Sequence, residues 1–407
     1  MLCKKYLDLR AASAAIFALA ALAATPAVAQ VTGLNETTTE APLPDGVTIS
    51  GYVETHYTYD MGDPHLGASN ERIIVQRGFD NRHNTFQLDN VVVDGQFQRG
   101  PVQSKLAIQF GATPSSYYAV ERTNAGTSGV AGTGTELWKY LQQGWIGLRL
   151  DNAGTWSTQA GLFLSPLGPE SLIIKDSWNW SRSNLFFVLP AYHAGLRLNW
   201  VPAEHWTLSA MAVNGWNSAI DGNAGKSVAL QAGYAAEKVQ GSVLVMTGQE
   251  RGEGAPEGKP WRHLADAWAQ VAVHERVSLM AHVNAGMEAN DIGTQTWLAG
   301  ALYARVKLLE RWWFAARGDV FTEQVPSNAA GTTAAAIFFP VSRVQSATGT
   351  VEWRPTDNLS LRAEVRQDGA NGDVYVKGHV DLVPGGIDPL ANARQRTTAT
   401  LGLTAWF

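Results

Sequence analysis

The sequence predicts an all-β protein: a transmembrane, antiparallel up-and-down β-barrel of about sixteen strands. Three observations carry that prediction. The last stretch, Arg394 to Phe407, alternates with period 2: Ala405, Leu403, Leu401, Ala399 and Thr397 form one face, and Trp406, Thr404, Gly402, Thr400, Thr398 and Arg396 the other. Near the start, Val47, Ile49, Gly51, Val53, Tyr57 and Tyr59 share a face opposite Thr48, Ser50, Glu54, His56 and Asp60, so the two stretches can pair and leave the sheet without an edge. Between them, very short connections alternate with long ones, which is the pattern of tight turns at one rim and long loops at the other.

At the N-terminus, Lys4, Lys5 and Arg10 precede an apolar run from Ala11 to Ala24, then Pro26 and Ala27-Val28-Ala29. A basic segment, a short apolar run and an A-x-A site make a secretory signal peptide over residues 1–29, too short to be a membrane-spanning helix. Residues 30–46, rich in Thr, Glu and Pro, read as a flexible periplasmic leader, and 47–407 as the barrel. Cleavage after Ala29 removes the single cysteine, Cys3, and moves the net charge from −5 to about −7. The acidic balance argues against a nucleic-acid partner, which needs clustered Lys and Arg.

No stretch after residue 30 approaches the ~20 consecutive apolar residues of a membrane helix. Charged residues make up 16% of the chain, below the ~25% of a typical soluble domain, while fifteen tryptophans and forty glycines suit aromatic girdles around an apolar band.

The candidate strands are 47–60, 83–98, 101–113, 139–151, 154–164, 191–201, 204–216, 224–236, 238–249, 261–274, 275–289, 294–308, 309–322, 343–355, 358–369 and 394–407. Short links such as Arg99-Gly100, Asn152-Ala153 and Thr356-Asp357 alternate with long ones, including Met61–Arg82, Pro114–Trp138, Ser165–Pro190, Glu323–Ser342 and Gly369–Ala393. A soluble β-sandwich also alternates but has no reason to sort its loops by length. Strands 83–98 and 343–355 alternate poorly, which points to bulges.

Alternation assigns the faces. Val102, Leu106, Ile108 and Phe110 face lipid while Gln103, Lys105 and Gln109 face inward; Leu196, Leu198 and Trp200 face out and Arg197 and Asn199 in. Leu359, Leu361, Ala363 and Val365 oppose Arg362, Glu364 and Arg366. A lipid-facing Arg or Lys at the midplane costs about 2–4 kcal/mol, so these charges belong in a water-filled lumen. Sixteen strands leave more room than side chains fill. The expected pore-lining residues are Lys105, Arg149, Arg197, Arg305, Arg317, Asp319, Arg362, Glu364, Arg366 and Arg396, with Glu54, Asp266 and Glu352 also inside. Basic groups outnumber acidic ones, which implies a mild preference for anions, unless the charges pair across strands and set no selectivity.

Family resemblance rests on a block from Trp178 to Ser227: Ser181-Arg182-Ser183-Asn184-Leu185-Phe186-Phe187, His193-Ala194-Gly195-Leu196-Arg197, Val213-Asn214-Gly215-Trp216-Asn217 and Gly225-Lys226-Ser227. With Gly51-Tyr52-Val53 and Asn84-Thr85-Phe86-Gln87-Leu88, it resembles the Putative β-barrel porin-2 family, the OmpL-like porins. The resemblance implies an outer-membrane channel for passive diffusion of small hydrophilic solutes or ions, in contact with outer-membrane lipid. The C-terminal strand similarly resembles the closing strand of outer-membrane barrels, whose terminal Phe, here Phe407, is read by the barrel-assembly machinery. Fold analogy suggests a homotrimer.

Ser165–Pro190 mixes Leu172, Ile173, Ile174, Trp178 and Trp180 with Lys175, Asp176 and Arg182, and a loop that apolar is poorly suited to water. One reading folds it inward, with Lys175, Asp176 and Arg182 as constriction charges. The other has it cap the barrel or meet a neighbouring subunit.

Other chemistries are thinly supported. Asn223–Ser227 matches only the tail of a nucleotide-binding loop, with Ile220 where the leading glycine belongs. Histidines and acids show no close metal-ligand spacing, and loop residues Asp60, Asp63 and Glu71 read as solvated charge, so no metal or cofactor is expected. His205 and His282 have Ser209 and Ser278 nearby in sequence, which keeps a barrel hydrolase as a minor alternative. The main competitor to a channel is an occluded barrel with an adhesive or structural role through its extracellular loops.

Overall fold

The computed structural model describes residues 45–121, 132–386 and 388–407. The expected signal peptide and the leader up to residue 44 lie outside the described residues.

In chain order, the first strands are β1 (Gly46–Asp60), β2 (His65–Leu66), β3 (Thr85–Arg99), β4 (Val102–Phe110), β5 (Leu141–Arg149) and β6 (Trp156–Leu164). The middle of the chain forms β7 (Tyr192–Ala203), β8 (Trp206–Val213), β9 (Ser227–Ala235), β10 (Val239–Gln249), β11 (Trp261–His274) and β12 (Val277–Ala289). The last are β13 (Thr294–Leu309), β14 (Trp312–Gln324), β15 (Arg343–Thr356), β16 (Leu359–Ala370), β17 (His379–Val380) and β18 (Gln395–Trp406). All but β2 and β17 form one closed antiparallel barrel of sixteen strands; those two make a small parallel pair between the first and last long loops.

Closure falls where the alternation placed it. β1 pairs with β18 in a register that sets Val53 opposite Ala405 and Tyr57 opposite Leu401. The Phe407 N–H donates to the Gly51 carbonyl at 3.0 Å, and the Gly51 N–H returns to the Phe407 carbonyl at 3.2 Å. A Cβ on Gly51 would lie 2.8 Å from the Phe407 ring and 2.6 Å from the Val92 carbonyl oxygen, so only glycine lets the terminal ring lie there. In hydrocarbon, unpaired backbone groups cost several kcal/mol each, and this seam removes the last row of them.

Both poorly alternating strands carry irregularities. The β1–β3 register steps from Glu54 opposite Asn90 to Thr55 opposite Leu88, which leaves Asp89 as the extra residue of a bulge. Asp89 turns inward to the His56 ring, 2.5 Å away. Between β15 and β16 the register slips after Trp353.

The outer face is apolar along its height, from Leu106 and Ile108 to Leu196, Val365 and Leu401. At the short-turn rim, cross-strand partners stack: Trp156 on Trp200 at 5.1 Å and Trp312 on Trp353 at 5.6 Å. At the opposite rim Phe86 packs on Tyr57 and Phe110 on Tyr140. These are the two aromatic girdles of a membrane barrel, and the short-turn rim, which carries both barrel ends, is the periplasmic one.

Leu302 sits near the middle of β13, facing out and 68% exposed. Leu302→Arg is expected to lower stability by about 2–4 kcal/mol, read as an earlier urea-unfolding midpoint of the protein folded in lipid vesicles.

Candidate functional site: the lumen and its inward loop

The interior is two-sided. On the arc from β8 to β13, bulky apolar side chains crowd the interior: Met211, Ala229, Leu244, Met246, Leu264, Trp268, Met280, Trp297 and Tyr303 are all buried, among polar groups such as Gln231, Asp266, His282 and Asn284. A lumen polar all round was the expectation; here strands such as β10 are apolar on both faces, with Val243 and Val245 outside and Leu244 and Met246 inside. The opposite arc, β14 to β16, β18 and β1, carries most of the charges, with Arg262, Asp266 and Glu288 as the exceptions on β11 and β12.

Residues 165–190 fold into the space between the two arcs. Trp178, Leu185, Val188 and Leu189 pack on the apolar side, with Trp178 edge-on to Tyr303. Toward the charged side the loop presents backbone. The N–H groups of Trp180 and Ser181 donate to the two oxygens of Glu364 at 2.7 and 3.0 Å, and the Ile174 N–H donates to Glu54 at 2.7 Å. Asn184 donates to Asp319 from its backbone and its side chain, at 3.1 and 2.7 Å, and the Gly168 N–H reaches Asp266 at 3.0 Å. Guanidiniums take the loop carbonyls: Arg317 donates to Ser181 at 2.6 Å, Arg362 to Ile174 at 2.8 Å, and Arg366 to Arg182. A loop with little regular structure has many orphan backbone groups, and the wall charges satisfy them. The Trp180 ring lies against Gly402 of β18, where a Cβ would come within 2.1 Å of it.

A second insertion was not expected from the sequence. Arg77, in the loop before β3, reaches Asp80, Asp368 at 3.2 Å and Thr398 at 3.0 Å. Burial, with Arg366 beside it, pulls Arg77 below the ordinary guanidinium value, while Asp80 and Asp368 oppose that shift. Phe79 of the same loop contacts Phe186 and Phe187 and lies under the Arg182 guanidinium.

The expected pore-lining residues all point inward, but most are paired. Arg317 meets Glu170 at 2.8 Å and Asp319 at 3.5 Å, while Arg366 and Arg396 both engage Asp368, at 2.7 and 3.0 Å. Arg362 and Arg305 both engage Glu352, at 3.0 and 2.6 Å, and Lys105 engages Asp94 at 3.0 Å. Arg197 holds Gln159 at 2.7 Å and lies over the Phe163 ring. Arg149 sits at the periplasmic rim and donates to the Gly100 carbonyl of the first short turn at 2.5 Å. Of the three loop charges, Arg182 is buried and donates to the loop's own Ser171 and Leu172 carbonyls, whereas Lys175 and Asp176 pair at 2.9 Å and stay partly exposed.

The Ser–His pairs read from sequence are not brought together: His282 binds Asp266 at 2.7 Å, Ser209 donates to Asn199 at 2.7 Å, and His205 sits in an exposed turn. A different pair does meet, Ser165 Oγ and His193 Nε2 at 3.1 Å, with His193 Nδ1 on the Gly215 carbonyl. Both residues are buried, and among the described residues no carboxylate orients the ring. Among the described residues no three His, Asp or Glu side chains converge as metal ligands.

A closed sixteen-stranded barrel with aromatic girdles, long loops at one rim and an inward loop defines an outer-membrane barrel of the porin class. The family described as Putative beta-barrel porin-2, OmpL-like matches residues 46–389, and the chain belongs to that family, placing it in the bacterial outer membrane. Its fold is shared with an anion-selective porin from Comamonas acidovorans (11% identity, 89% of this chain and 99% of that one, TM-score 0.54). The outer membrane channel DcaP of Acinetobacter baumannii is similar at 10% identity, 89% and 97% coverage and TM-score 0.54. A loop-deleted OmpT, an outer membrane protein of Vibrio cholerae, aligns at 9% identity, 89% and 99% coverage and TM-score 0.55. No curated protein sequence matches the chain significantly.

Two substitutions test how the loop is held. Gly402→Val is expected to push Trp180 off the wall, costing about 1–3 kcal/mol and raising single-channel conductance. Glu364→Gln weakens charge-assisted bonds to Trp180 and Ser181, each contributing about 1.5–3 kcal/mol; flickering between a narrow and a wider conductance is the expected trace.

Proposed function

We propose that this porin-family barrel is a non-enzymatic channel for passive diffusion of small hydrophilic solutes or ions, narrowed by residues 165–190. The observation that carries the reading is the loop's anchoring: wall carboxylates at Glu54, Asp266, Asp319 and Glu364 hold it from four strands. The partly exposed Lys175–Asp176 pair marks the water-facing side of the constriction. With Arg317, Arg366 and Arg396 matched by acids, any anion preference must come from elsewhere in the lumen.

One observation favours a second reading, an occluded barrel acting through its extracellular loops: lumen groups such as Glu54, Arg362, Glu364 and Asp368 are at most 3% exposed. A planar bilayer separates the two. Discrete, long-lived current steps from the folded mature chain, larger after deletion of 170–185, support diffusion; silence from inserted protein favours occlusion. Assembly through Phe407 and a homotrimer in outer-membrane lipid complete the proposal, with subunit number read by mass measurement in native-like micelles.

A further inference from the structure

We propose that the periplasmic mouth of the lumen holds an oxyanion site, formed by Arg305, Lys307 and Arg354, that takes a small carboxylate or phosphate solute. The proposal rests on the diffusion reading for its physiological role, but the site is argued from its own geometry.

Register places the site. Lys307 lies opposite Trp313, Trp313 opposite Glu352, and Glu352 opposite Arg362, so these four inward residues run in one row across β13 to β16. Arg305 stands two residues above Lys307 on β13, and Arg354 two residues below Glu352 on β15 toward the periplasmic turn. Three cations, Arg305, Lys307 and Arg354, share this patch of wall with Glu352, which also binds the buried Arg362. Glu352 accepts from Arg305 at 2.6 Å, Arg354 at 2.9 Å, Arg362 at 3.0 Å and the Ser360 hydroxyl at 2.8 Å. One negative charge cannot neutralise them, and among the described residues Lys307 makes no ion pair.

What holds the cations in place instead is an aromatic ring. The Trp313 face has Arg305 at 5.3 Å, Arg354 at 5.4 Å and Lys307 at 5.9 Å from its centre, and Arg354 also lies 5.8 Å from the centre of Trp406. A ring quadrupole attracts a cation without cancelling its charge. The contrast with the upper lumen is physical: there Arg366, Arg396, Arg77 and Arg317 are matched by Asp368, Asp80, Asp319 and Glu170 and covered by the loops. Here the Arg305 and Arg354 side chains stay 21% and 25% exposed, and among the described residues the buried Arg305 Nε has no hydrogen-bond partner. Positioned cations with an excess of charge and an unfilled donor suit a planar or tetrahedral oxyanion. In a low-dielectric wall they also concentrate anions at the exit to the periplasm.

The test uses the folded mature chain and the double variant Lys307→Gln/Arg354→Gln, with retention of the folded band on an unheated gel as the check on folding. Calorimetric titration with inorganic phosphate and, separately, acetate should give saturable binding to the wild type that weakens at least tenfold in the double variant; the stronger arm identifies the oxyanion. In a bilayer under a salt gradient, reversal potential should move toward cations in the double variant and return with Arg354→Lys on the single background. Should the double variant not fold, Lys307→Gln alone serves, since among the described residues that side chain makes no ion pair and lies against the Trp313 ring. Equal titrations in wild type and variant, or no saturable binding by either anion, overturn the site. Absence of current steps with titration intact would instead remove the diffusion reading and leave the oxyanion site standing.

Discussion

Everything in this molecule follows from the absence of water around its strands. A backbone N–H or C=O facing hydrocarbon has no partner except another strand, so the sheet must close. It closes at the seam where β1 meets β18, and Gly51 with Phe407 marks how tightly that seam is made. Once closed, the sixteen-stranded wall has an interior too wide for its own side chains, and the chain fills much of that interior with a loop.

Filling the interior raises the same accounting problem on the inside. An irregular segment carries unpaired donors and acceptors into a crowded space, and the charged arc answers them group by group: carboxylates for N–H, guanidiniums for C=O. The apolar arc meets the other side of the loop with Met, Leu and Trp. Many wall charges that resemble selectivity residues are thus structural, and selectivity is better sought where cations outnumber acids, as around Trp313.

Much of the wall was legible from alternation. Strands with a lipid face and a polar face, such as β4, β16 and β18, were assigned on both sides, and even the weak alternation of β3 correctly signalled the bulge at Asp89. β10 and its neighbours were harder, because apolar residues on both faces hide which side is inside. The loop over 165–190 was legible as an anomaly, being too apolar for solvent, yet its partners come from strands far along the chain and only register unites them. Arg366 with Asp368 could have been read as a same-face pair two residues apart; Arg362 with Glu352 needed the β15–β16 register, and the inward turn of Arg77 left no periodic signal at all.

The loop lies latched against the charged wall inside the folded barrel. Asn179 and Thr350 are in side-chain contact at 2.7 Å across that latch, and the mature chain brings no cysteine of its own if cleavage falls after Ala29. The most direct measurement is oxidation of the Asn179→Cys/Thr350→Cys variant folded in its membrane. A rapid intramolecular disulfide is expected, with conductance unchanged by the cross-link. Cysteines that stay free under mild oxidation, or a conductance that collapses when the bond forms, would show the loop resting elsewhere and contradict the latch.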